Sequence, residues 1–220
     1  MLSVFDVIGP VMIGPSSSHT AGAARLGKMA RTILGEPPKR VEITLYGSFA
    51  ETGWGHGTNI ALVAGLLGLD PWDERLKEAY LLADNVGLYF EFKRGKLKRG
   101  MHPNSVKFVM EGMSSHRIVK GASVGGGKIQ ITEIDGFSVL FSGSYPTIVG
   151  IYKDRVGMIA EVSRVLANEG VNIAQMKVSR DRKMGTALMV IETDQMPSQD
   201  VEEVLRSIPD MKTSMVIPPI

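Results

Sequence analysis

Between residues 147 and 217 the hydrophobic period alternates between that of a strand and that of a helix, and this order leaves few folds open. Thr147–Tyr152 alternates as a β-run, and Lys153-Asp154-Arg155-Val156-Gly157 supplies a turn. Met158–Glu169 sets Ile159, Val162, Val165 and Leu166 at helical spacing, and Gly170 follows as a stop. Val171–Ser179 and Thr186–Thr193 alternate again across the polar loop Arg180–Gly185. Ser198 is placed to cap a second helix carrying Val201, Val204, Leu205 and Ile208, and Met211–Ile217 reads as a last strand. The order βαββαβ implies a ferredoxin-like unit, one sheet with two helices on one face.

The preceding residues are mixed too, so the fold class is α+β. Thr20–Leu34, Asn59–Leu67 and Leu76–Ala83 read as helices. Arg40–Tyr46, Leu88–Phe92, Ser105–Glu111, His116–Ala122, Lys128–Glu133 and Phe137–Phe141 read as strands, with Asp135-Gly136 a tight turn between the last two. Phe141-Ser142-Gly143-Ser144-Tyr145-Pro146 is a small-residue stretch ending in proline. The charge balance shifts there, from 16 basic and 13 acidic groups before residue 144 to 9 and 10 after it. The expected domains are therefore 1–143 and 144–220.

Composition removes several function classes. The 220 residues contain no cysteine, which excludes disulfides, a thiolate metal site and a cysteine nucleophile in this chain. A net charge of +2 gives no bulk attraction for nucleic acid. Apolar stretches are interrupted before they reach the length of a membrane span, and the start has no basic region followed by an apolar core. A soluble, cytoplasmic protein without a membrane or nucleic-acid partner is expected.

Two of the four histidines sit in loops of unusual composition. Gly14-Pro15-Ser16-Ser17-Ser18-His19-Thr20 puts three hydroxyls and free amides before a helix, either as an N-cap or as a site for a carboxylate or phosphate. Gly53-Trp54-Gly55-His56-Gly57-Thr58-Asn59 plants an imidazole among glycines between a strand and a helix. Its spacing departs from the dinucleotide pattern at the third glycine, which argues against a nucleotide. His102 before Pro103-Asn104 reads equally as a turn residue or a third site group, and His116 reads as structural. No histidines lie three or four apart, so no metal site is expected in this chain.

Two further patterns are set aside. Gly121-Ala122-Ser123-Val124-Gly125 matches a hydrolase elbow, but a strand follows where a helix is required. Lys93-Arg94-Gly95-Lys96-Leu97-Lys98-Arg99 packs five cations into seven residues without interleaved aromatics, and reads as a solvated hairpin tip.

The chain resembles the β subunits of the two-subunit, iron–sulfur-dependent bacterial L-serine dehydratases. The resemblance spans nearly the whole chain and rests on Ser3-Val4-Phe5-Asp6, Ile8-Gly9-Pro10, Ile13–Gly22, Tyr46-Gly47-Ser48-Phe49, Gly55-His56-Gly57-Thr58, His102-Pro103-Asn104 and Ser123-Val124-Gly125-Gly126-Gly127. It implies an N-terminal domain similar to the allosteric substrate-binding domain of some D-3-phosphoglycerate dehydrogenases, and a C-terminal ACT domain. It also implies an L-serine ammonia-lyase, forming pyruvate and ammonia from L-serine. The [4Fe–4S] cluster would be held by cysteines of a partner α subunit and not by this chain.

Such an elimination needs a base for the Cα proton and an electrophile for the hydroxyl, and an imidazole suits proton transfer near neutral pH. By resemblance His56 is read as the base and His19 as a substrate-orienting or proton-handling group, although the sequence alone leaves the two exchangeable. Ser16, Ser17, Ser18 and Thr20 are read as substrate-binding. In the ACT domain the resemblance points to Tyr152, Asp154 and Asn172 around an effector, an amino acid or a monovalent cation, between paired domains of a homodimer. Tyr152 and Asp154 depart from the residues expected for serine. The competing reading is a purely regulatory amino-acid-binding subunit with no catalytic residues.

Overall fold

The computed structural model describes residues 10–198 and 200–220. Ser3-Val4-Phe5-Asp6, and Ile8 and Gly9 of the next motif, lie outside them. Contacts divide the chain into two units, one ending at Asp135 and the other spanning Gly136–Ile220. Both are mixed α/β, each with its own sheet.

In the first unit the strands are β1 (Arg40–Leu45), β2 (Tyr89–Arg94), β3 (Ser105–Glu111), β4 (His116–Gly125) and β5 (Lys128–Ile134), and they lie in the order β2-β1-β3-β4-β5. β1 alternates buried Val41, Ile43 and Leu45 with more exposed residues, as a sheet with one covered face requires. The helices are α1 (Gly22–Leu34), α2 (Ser48–Glu51), α3 (Thr58–Leu66) and α4 (Ala79–Asn85). α1 packs on β4 and β5, and α3 packs on α1. The helix expected from Leu76 begins earlier, as a 3₁₀ turn over Glu74–Glu78, because the Asp73 carboxylate accepts the Arg75 amide and starts it.

Two glycines set the crossing of α1 and α3. A Cβ on Gly27 would lie 2.3 Å from the Leu62 carbonyl oxygen, and one on Gly65 would lie 2.0 Å from that of Ala24. The two backbones touch, and any side chain at either position pushes the helices apart.

The basic run is not at a hairpin tip. β2 pairs parallel with β1, from Arg40↔Tyr89 to Leu45↔Arg94, while β3 runs antiparallel on the other side of β1, with Leu45 opposite Val106. Residues 95–104 therefore cross over the C-terminal end of β1. Local sequence could not reveal this, because β2 takes an edge beside β1 rather than pairing with the strand that follows it.

The second unit contains β6 (Phe137–Phe141), β7 (Thr147–Lys153), α5 (Met158–Asn168), β8 (Ile173–Arg180), β9 (Thr186–Thr193), α6 (Asp200–Ser207) and β10 (Met211–Ile217). From β7 onward this is the expected βαββαβ order, with an antiparallel sheet β10-β7-β9-β8. Ile148, Tyr152, Met189 and Ile191 of the sheet share a core with Met158, Val162 and Leu166 of α5 and Val201 and Leu205 of α6. β6 lies against β8, where the Ser179 hydroxyl donates to the Ser138 carbonyl at 2.5 Å. The Ser198 hydroxyl donates to Glu169 at 3.0 Å.

Candidate active site

The two marked loops meet. His19 lies in a single π-helical turn, Ser17–Ala21, that leads into α1. Such turns are rare and collect at functional sites. The Ser16 hydroxyl starts the turn by accepting the His19 amide at 3.1 Å. His56 lies in the loop that leads into α3, and the imidazole ring centres are 5.1 Å apart. The α1–α3 crossing thus brings together histidines 37 positions apart in sequence.

Two hydroxyls to which the sequence reading assigned no site role hold His19. Its Nε2 lies 3.1 Å from Ser48 Oγ and 3.3 Å from Thr52 Oγ1, and those oxygens are 3.2 Å apart. Ser48 opens α2 and Thr52 follows its end, so the i, i+4 spacing stacks both hydroxyls on one side of the turn. Gly47, with φ of +50°, makes the sharp exit from β1 that a side chain would obstruct, since its Cβ would meet the Pro103 carbonyl oxygen at 2.7 Å. The signal was available in Gly47-Ser48-x-x-x-Thr52, two hydroxyls one helical turn apart after a glycine.

His56 is fixed through its other nitrogen. Nδ1 lies 3.1 Å from the Thr52 carbonyl oxygen. A carbonyl only accepts, so Nδ1 carries the hydrogen, and in the neutral ring Nε2 keeps a free lone pair. Burial, and then the neighbouring His56, push the His19 imidazole below its ordinary value, against a smaller opposing contribution from Ser48. His19 therefore stays neutral near pH 7.

A lowered histidine value in the folded state means that protonation favours unfolding. The stability attached to neutral His19 is complete above its unfolded value of 6.5 and is lost as pH falls through the lower folded value. His19→Gln is expected to lose less stability than the parent between pH 7 and pH 5, measured as the shift in urea midpoint.

The remaining expected residues divide. Ser17 and Ser18 are half-buried in the π turn beside His19. Thr20 is 2% exposed and its hydroxyl donates to the His56 carbonyl at 3.4 Å, so it ties the two loops together rather than facing a ligand. His102 Nδ1 accepts the Asn104 amide at 3.1 Å, a turn role. Ser123 is fully buried inside β4, unlike a nucleophile at an elbow. This chain's residues do not fit an iron–sulfur cluster. It has no thiolate to bind iron, and no group of three His, Asp or Glu suited to a metal occurs among the described residues.

The ACT-domain residues are not gathered within one chain. Tyr152 is 2% exposed in the helix-side core. The Asp154 carboxylate accepts Arg180 Nη1 at 3.2 Å and the Met184 amide at 3.1 Å. Asn172 donates to the Asp194 carboxylate at 2.6 Å. Asp154 bonds to Gly185 before β9 and Asn172 to Asp194 after it. The two therefore stand at opposite ends of an eight-residue strand, roughly 25 Å long.

Comparison with known proteins agrees with this architecture. A family model described as "Serine dehydratase beta chain" matches residues 3–88, and one described as "ACT domain" matches residues 147–210. The chain is 46% identical over 209 residues to the "Probable L-serine dehydratase, beta chain" of Bacillus subtilis (strain 168), covering 95% of this chain and 94% of that protein. It is 36% identical over 216 residues to the "L-serine dehydratase, beta chain" of Peptoniphilus asaccharolyticus, covering 98% and 97%. A 28% identity over 200 residues links it to the D-3-phosphoglycerate dehydrogenase of Bacillus subtilis (strain 168), covering 89% of this chain and 37% of that enzyme. With both histidine loops inside the matched span, and near-complete overlap with two of these relatives, the chain belongs to the L-serine dehydratase beta-chain family and ends in an ACT domain.

Proposed function

We propose that this chain is the β subunit of a cytoplasmic L-serine ammonia-lyase and contributes the proton-transfer groups to the conversion of L-serine to pyruvate and ammonia. The observation that carries the reading is the hydrogen bond from His56 Nδ1 to the Thr52 carbonyl, which leaves Nε2 as a bare base on an exposed loop. Nε2 of His56 takes the Cα proton of serine. His19, neutral and held by Ser48 and Thr52, orients the substrate without adding a second positive charge beside the first. Ser16, Ser17 and Ser18 frame the carboxylate end.

The hydroxyl at Cβ leaves toward an electrophile outside this chain. A [4Fe–4S] cluster on a cysteine-bearing α subunit supplies Lewis-acid chemistry of that kind when bound. The purified β chain alone is expected to show no serine deamination and to gain it on reconstitution with the α chain. Turnover by the chain alone in the presence of a chelator contradicts the reading.

The ACT domain serves as an effector site between two copies. Asp154 and Asn172 lie too far apart to share one small ligand within a chain, but ACT domains paired edge to edge bring the Asp154 end of one copy toward the Asn172 end of the other. An amino acid or a monovalent cation suits the carboxylate and amide there. Asp154→Ala with Asn172→Ala is expected to abolish any response of the αβ enzyme to potassium and to amino-acid effectors, with kcat preserved. Unchanged effector kinetics would leave the domain a pairing role alone.

A further inference from the structure

We propose that the rim of the histidine pair, Trp54 with Phe92, Arg94 at the end of β2 and the crossing segment bearing Lys96, Lys98 and Arg99, is the docking surface for the partner α chain, which meets it with an acidic segment beside an apolar patch. The proposal rests on the reading of this chain as a β subunit and names where its partner sits.

Three observations place the surface. First, Trp54 lies two residues before His56, is 52% exposed and stacks edge-on against Phe92 at 5.5 Å. Phe92 continues into Phe90 at 5.9 Å and Phe90 into Tyr80 at 5.0 Å, so a ladder of aromatic rings runs away from the site along edge strand β2. Second, the crossing segment passes over the end of β1 immediately before the Ser48 turn. A Cβ on Gly95 would lie 2.2 Å from the Tyr46 ring, and Pro103 closes on Gly47. The segment is therefore seated against the same turn that holds His19.

Third, the charges on that segment are unanswered. Lys93 pairs with Glu42 at 2.7 Å and Glu91 at 3.5 Å. Arg94, Lys96, Lys98 and Arg99 are exposed and form no ion pair among the described residues. Four like charges in six residues repel one another in the free chain, and a partner carboxylate surface relieves that repulsion. Tryptophan and arginine are also among the residues that most often anchor protein interfaces. The run adjoins the turn that holds His19, so a partner seated on it also lies beside the histidine pair.

The test uses the αβ enzyme reconstituted from its two chains. Arg94→Glu, Lys96→Glu, Lys98→Glu and Arg99→Glu are combined in one β variant, and Trp54→Ala is made separately. The readouts are the β concentration that half-saturates activity at fixed α, at low and at high salt, and kcat at saturating β. The charge-reversed variant is expected to need about tenfold or more β at low salt and to lose the salt dependence seen in the parent. Trp54→Ala is expected to raise half-saturation at both salt concentrations. In both variants kcat at saturation stays within about twofold and the melting temperature matches the parent. Unchanged half-saturation in both folded variants overturns the proposal. So does restored-affinity activity with collapsed kcat, which makes the cations part of the substrate site, or selective loss of RNA or anionic-vesicle binding with α association intact. His56→Ala serves as the separating control. If it binds α normally but does not turn over, the β-subunit reading stands whatever the docking variants show; if it turns over normally, the base role proposed for His56 fails independently of them.

Discussion

Replacing His56 with alanine is expected to lower kcat of the αβ enzyme by about 10²- to 10⁴-fold, the usual contribution of a positioned general base. Half-saturation by serine should change far less, because in the proposed role the imidazole acts on the proton in flight rather than on the bound carboxylate. The magnitude follows from geometry. Nδ1 is committed to the Thr52 carbonyl at 3.1 Å, so the ring presents the correct nitrogen without reorganising. A change confined to half-saturation would instead support a regulatory chain that senses the amino acid without handling its proton.

Gly65→Ala is expected to destabilise the N-terminal unit and to lower activity together with it. Glycine to alanine inside an exposed helix ordinarily gains roughly 1 kcal/mol. Here the new Cβ meets the Ala24 carbonyl oxygen at 2.0 Å, a contact that backbone cannot relieve by a rotamer change. Overpacking of this kind costs about 1–3 kcal/mol or more, so the net sign reverses. A fall in melting temperature of about 5 °C is expected. Activity falls because α1 carries the His19 turn at its start and α3 follows the His56 loop, so any separation of the helices widens the 5.1 Å gap between the rings. A melting temperature equal to or above the parent's would contradict this description of the crossing.

The ACT domain was readable element by element because each strand and helix carries its own period and its own stop. Gly170 follows the α5 pattern, and the loop Arg180–Gly185 separates two alternating runs. The N-terminal unit was less transparent for a physical reason. α2 has four residues, too few for a period to show, yet it supplies Ser48 and positions Thr52. The pairing of β2 beside β1 depends on a non-local choice of edge, which no local pattern records, and it turned an expected hairpin tip into a segment crossing the site. The loops of His19 and His56 stood out by composition, but their meeting depends on Gly27 and Gly65, whose role appears only when two helices cross.

In the proposed mechanism His56 removes the Cα proton. Serine incubated with the αβ enzyme in deuterated solvent reports that step directly, as deuterium appearing at Cα of unreacted substrate. Exchange is expected to disappear with His56→Ala and to persist, at a reduced rate, with His19→Ala. Exchange that continues undiminished in His56→Ala, and vanishes in His19→Ala, would contradict the assignment and give the base role to His19.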